Sequence, residues 1–230
     1  RRTVDMQHKK YTVFQEDTVV GGQFNMENTS NKKVNVKFMT ELALLIAIIV
    51  IMALTPIGYI RTPIITLTLI TIPVAVGGII MGPLGGAICG LTFGLTSLYM
   101  ALTAPSAMMA AFVEVNPFYT AILCIVPRVI DGWLCGLIFK GLRKATKSHS
   151  LSYYIAGISC PVFNTVLFMS TLVLLFYNCE FVVNLRSSLN VTNAFAFIIA
   201  VVGVQALIEA LCCGLVSGFV SQQLNRVLKR

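Results

Sequence analysis

The sequence predicts an all-α membrane protein with six transmembrane helices and both termini in the cytoplasm. Three observations carry this. Six apolar stretches, at 39–56, 64–81, 83–104, 117–142, 151–177 and 193–227, fill the chain after residue 38. Each approaches or exceeds the roughly 20 residues that cross about 30 Å of hydrocarbon. Hydrophobic residues make up 57% of the chain and charged ones 11%, which leaves too little polar surface for a soluble domain. Finally, 14 of the 17 basic residues fall on one side of the stretches: seven before residue 38, then Lys140, Arg143, Lys144, Lys147, Arg226, Lys229 and Arg230. The other side has only Arg61 and Arg186. That asymmetry places 56–63, 105–116 and 178–192 outside.

The stretches are continuous rather than alternating, which argues against a β-barrel. The chain divides into a cytoplasmic N-terminal extension over 1–38, expected to be disordered, and a six-helix transmembrane domain over 39–230. Met26 would serve as a natural start, so residues 1–25 read as an upstream extension. The net charge of +8 does not point to nucleic acid, because it is spread over tails and one connection rather than over a folded basic face. Of the seven cysteines, six lie inside apolar stretches and none forms a CxxC. They read as small packing residues, with no metal site.

The first stretch carries Ala43 and Ala47, four apart, a spacing that lets another helix approach closely. In the second, Pro73 removes a backbone donor and is expected to kink or break the helix. The third opens with Gly82-Pro83 and repeats glycine at 82, 86, 90 and 94, a stripe for close helix contact. The connection 105–116, with Met108, Met109, Phe112 and Val113, is too apolar for a free loop and reads as a flap over a cavity.

The fourth stretch is the most informative. Arg128 and Asp131 are three apart and share one face. About 1.5 Å of rise per residue puts Arg128 roughly 16 Å below the outer surface, near the midplane. A charge there costs at least about 2.5–3.5 kcal/mol, so it faces the interior toward a partner or a ligand. Pairing with Asp131 or Glu209 to tie helices competes with offering its fork to a carboxylate or carbonyl of a solute. Asn164, in the fifth stretch, is expected at the same depth. In the sixth, Gln205, Glu209 and Cys213 form the more polar face.

No His lies in any stretch, and there is no HExxH, no Ser-His arrangement and no P-loop. The chain is therefore expected to be neither a membrane enzyme nor an ATPase, and to use no cofactor.

The segments IPVAVGGIIMGPLGGAICGLTFGLTSL (72–98), NPFYTAILCIVPRVIDGWLCGLIFKGL (116–142) and FNTVLFMSTLVLLFYN (163–178), with Ala43-xxx-Ala47, resemble the substrate-binding S component of energy-coupling factor (ECF) vitamin transporters. Among these the chain is most similar to the pantothenate type. The resemblance implies a subunit of the bacterial cell membrane that captures a water-soluble vitamin in an outward-facing cavity. It implies a transmembrane coupling protein and two ATP-binding subunits as partners, with Ala43 and Ala47 packing against the coupling protein. Folate, hydroxymethylpyrimidine and riboflavin stand as alternative ligands, and a stand-alone secondary transporter as the alternative class. Depth and chemistry select Arg128 as anion partner, Asn164 and Asn116 as hydrogen-bond partners, Tyr119 as cavity wall and Arg61 as a rim charge.

Overall fold

The computed structural model describes residues 36–55, 58–61, 66–145, 149–188 and 193–227. The chain divides into two compact units, 1–34 and 35–230. The first lies outside the described residues, and so does the expected extension up to residue 35.

Within the second unit the order is α1 (Val36–Leu54), β1 (Tyr59–Arg61), β2 (Thr66–Thr68), α2 (Thr71–Thr103), α3 (Ala107–Val115), α4 (Pro117–Ala145), α5 (His149–Phe176), α6 (Glu180–Ser188) and α7 (Ala194–Val227). Five of these helices, α1, α2, α4, α5 and α7, are long and apolar enough to cross a membrane. The two short strands pair antiparallel, Tyr59 opposite Thr68 and Arg61 opposite Thr66.

Of the stretch expected to be helical over 64–81, residues 66–70 are thus strand and turn. Thr66 and Thr68, β-branched and alternating with Leu67, suit the ribbon better than a helix. The Thr71 hydroxyl donates to the Thr68 carbonyl at 2.9 Å, tying ribbon to helix. Pro73 falls in the first turn of α2, where a missing N–H costs no intrahelical bond, so the expected break is not there. It comes at Gly82, with φ 80 and ψ −171. Pro83 biases its predecessor away from helical geometry, and only glycine takes this positive φ without penalty. Two limbs result, 71–81 and 83–103.

Glycines set how closely α2 meets α4. A Cβ on Gly86 would overlap the Gly132 carbonyl, and one on Gly90 would overlap the Arg128 carbonyl. One on Gly94 would lie 2.8 Å from the Ile125 Cα. Gly82 is not in this stripe, since nothing lies within 4 Å of a Cβ built there. Gly78 extends the stripe instead, across the hinge. On the other side of the bundle a Cβ on Gly157 of α5 would stand 2.6 Å from the Gly214 carbonyl of α7. In lipid, helices gain little by excluding water from one another, so this van der Waals proximity holds the bundle. Arg143 Nη1 also donates to the Tyr153 hydroxyl at 3.0 Å, linking α4 to α5.

Two apolar clusters form the core. One joins Leu45, Ile49 and Ala53 of α1 to Val74, Ile79 and Phe93 of α2 and to Tyr153 of α5. The other joins Phe112, Leu123, Met169, Leu172, Phe176 and Val182. The second cluster explains why the connections at 105–116 and 178–192 carry short helices, α3 and α6. α3 starts at Ser106, whose Oγ accepts from the Met109 amide. It drives Phe112, fully buried, onto Phe176 with ring centroids 4.4 Å apart. α6 sends Val182 into the same cluster.

Candidate functional site

At the end of the bundle that carries the ribbon and α3 lies a cavity of about 410 Å³. Its apolar wall comes from α2, α3 and α5, with Phe93, Met100, Met108, Phe168 and Met169. Its polar groups include Ser97 of α2, Arg128 of α4, Asn164 and Thr165 of α5, and Gln205 and Glu209 of α7, with Thr68 of the ribbon and Ser106 before α3. An apolar chamber with a few convergent polar groups, at roughly 300–1,000 Å³, is the usual form of a small-molecule site.

Arg128 is held by its own helix. Pro127 has no N–H, so the carbonyl of Leu123, four residues earlier, loses its helical donor. Arg128 Nη1 donates to that carbonyl at 2.8 Å. The guanidinium also lies 5.2 Å from the Phe93 ring centroid and 4.6 Å from that of Phe168. Both are within cation–π range, where a desolvated contact contributes up to about 2 kcal/mol. These contacts keep a cation in an apolar bundle, on the lining of the chamber. A planar guanidinium fork fits a carboxylate or a carbonyl.

Asn164 is 9% exposed, and its Oδ1 has no hydrogen-bond partner among the described residues. Glu209 is 3% exposed, and the same holds for its Oε1. Asp131, one turn below Arg128, does not line the cavity; its Oδ2 accepts from the Cys160 thiol at 3.3 Å.

The structure therefore brings together Arg128 and Asn164 from the residues expected to touch a solute. Asn116 and Tyr119 stand outside the cavity. The Asn116 Oδ1 caps α4, accepting from the amides of Phe118 at 3.0 Å and Tyr119 at 3.3 Å. Tyr119 is 42% exposed and sets its ring against the edge of Phe176. Arg61 closes β1, and its side chain lies outside the described residues. Ala43 and Ala47 are exposed on the face of α1 away from Leu45 and Ile49. Gln205 and Glu209 also line the cavity, beyond the residues expected from the sequence. Their spacing of four on the polar face of α7 was the available signal.

Residues 37–220, most of the chain, match the family model described as ECF transporter, substrate-specific component. No curated protein matches the chain.

Proposed function

We propose a function from one premise: the chain belongs to the family of substrate-specific components of ECF transporters. Membership makes it a transporter subunit rather than an enzyme, and its apolar helices make it a multi-pass membrane protein. On this reading it sits in a bacterial cell membrane and captures a water-soluble vitamin from outside. It then delivers that vitamin inward through a coupling protein and two ATP-binding subunits. The basic residues of both ends and of 140–147 face the cytoplasm, which turns the cavity outward.

The carrying observation is Arg128, buried and lining a mostly apolar cavity. Pantothenate fits this chemistry. Its carboxylate matches the guanidinium, its hydroxyls and amide match Asn164 and the polar face of α7, and its methyl groups match the Phe and Met wall.

The test is mass spectrometry of any small molecule that accompanies the purified protein, followed by calorimetry with candidate vitamins. Pantothenate is expected to bind the native chain and to lose at least about 100-fold in affinity in Arg128→Ala, since a buried charged hydrogen bond and its specificity go together. Unchanged affinity in that variant would remove Arg128 from the site. Binding of folate, hydroxymethylpyrimidine or riboflavin instead would reassign the vitamin. Ion-gradient-driven uptake by this chain alone in liposomes would replace the ECF mechanism with secondary transport.

A further inference from the structure

We propose that Glu209 is a second ligand-binding residue, resting on the capture function above, and that the cavity selects a dipolar solute rather than a simple anion. The solute places an acceptor group on Arg128 and an N–H or O–H donor on the Glu209 carboxyl.

Three observations carry this. Glu209 lines the same chamber as Arg128, reached from a different helix. It is 3% exposed, and its Oε1 has no hydrogen-bond partner among the described residues. A carboxyl whose only work was to tie helices would have a protein donor at that oxygen, because buried polar groups are paired. The third observation lies across the chamber, where the Asn164 Oδ1 is also buried without a partner among the described residues. Two acceptors thus converge on a space that already contains a guanidinium. An anion with no donors would meet Arg128 favourably and Glu209 unfavourably. A solute with a carboxylate or carbonyl at one end and hydroxyl, amide or amino groups beyond it satisfies both. The polarity of the chamber thereby becomes a specificity device, since a site built to receive a donor rejects an analogue that lacks it.

The test is calorimetry of the purified full chain and of its Glu209→Gln and Glu209→Ala variants. The probes are pantothenate, riboflavin, folate, hydroxymethylpyrimidine and thiamine, followed by deoxy or deamino derivatives of whichever vitamin binds. Glu209→Gln keeps the volume of the side chain, and a single size-exclusion peak with a native-like melting curve certifies its fold. Affinity for the bound vitamin is expected to fall about tenfold or more in Glu209→Gln. A derivative lacking the donor is expected to bind the native chain more weakly and to be insensitive to the substitution. Equal affinity of native and folded Glu209→Gln protein for a vitamin that binds would overturn the role of Glu209 and leave the capture function standing. An equal loss for the vitamin and for its donor-less derivative would show Glu209 to be structural, and would overturn it too. If none of the probes binds the native chain, the vitamin-capture reading fails, and the selection by Glu209 fails with it.

Discussion

The guanidinium of Arg128 donates to the carbonyl of Leu123, the acceptor that Pro127 leaves without its helical donor. Two features that cost energy separately in a membrane helix, a proline and an arginine, offset one another here. The proline frees a carbonyl and the arginine occupies it. The side chain is then fixed relative to its own backbone, so the orientation of the fork does not wait for a ligand.

Restoring the missing donor should undo that arrangement. In Pro127→Ala the new N–H competes with Arg128 for the Leu123 carbonyl. Thermal stability in detergent is expected to hold or rise, because a helical hydrogen bond is regained. Solute affinity is expected to fall by roughly threefold to tenfold, since ordering a freed side chain costs about 0.5–1.5 kcal/mol on binding. Calorimetry beside a melting curve measures both. A drop in stability with unchanged affinity would mean that the Leu123 contact does not orient the fork.

Much of this site was legible in the sequence, and the failures have physical causes. Arg128 and Asn164, which line the cavity, stand out in the sequence because a polar group at mid-depth in an apolar helix has few explanations. Asn116 lies outside the cavity because a residue at a helix start serves the backbone first: its side-chain oxygen goes to two amides that would otherwise lack partners. Residues 64–81 read as one span because apolar runs do not distinguish a strand from the helix that follows. Gly82 stood in register with the glycine stripe, and only its backbone geometry separates a hinge from a packing position. The place of Glu209 in the cavity was not legible, because a pattern along one helix does not say which neighbour its polar face meets.

The glycine stripe makes a sharp contrast between two substitutions. Gly86→Ala puts a methyl into the Gly132 carbonyl, with backbone on both sides and no flexible side chain to yield. Overpacking of this kind costs about 1–3 kcal/mol, so a lower melting temperature and a loosened α2–α4 contact are expected. Gly141→Ala meets nothing within 4 Å and is expected to be neutral or mildly stabilising, because alanine favours a helix over glycine by about 1 kcal/mol. Parallel thermal melts of the two variants decide the matter, and equal melting temperatures would contradict the close approach.

Phe112 fixes α3 beside the cavity that Met108 and Met109 help to line. Its ring is fully buried and stacked on Phe176. Truncating a buried phenylalanine costs about 3–5 kcal/mol where the site cannot collapse. Phe112→Ala is expected to lower stability and to speed release of bound solute, because α3 loses its anchor while Arg128 keeps its contacts. Stopped-flow dissociation would register the change. A slower or unaltered release rate would show that α3 does not cover the chamber.

The exposed face of α1 supplies the last prediction. Leu45, Ile49 and Ala53 recur every four residues and turn one side of the helix into the core. Ala43 and Ala47 lie on the opposite, open side. Leucine at either position would face lipid or a partner without disturbing the fold, so the double variant Ala43→Leu, Ala47→Leu is expected to keep its melting temperature and its solute affinity. A flat alanine surface admits a neighbouring helix that two leucines would hold away. Co-purification with a transmembrane coupling protein and its ATP-binding subunits should therefore be lost, along with ATP-driven uptake into liposomes, while binding to the isolated subunit persists. Retention of a stoichiometric complex by this variant would move the docking surface to another helix.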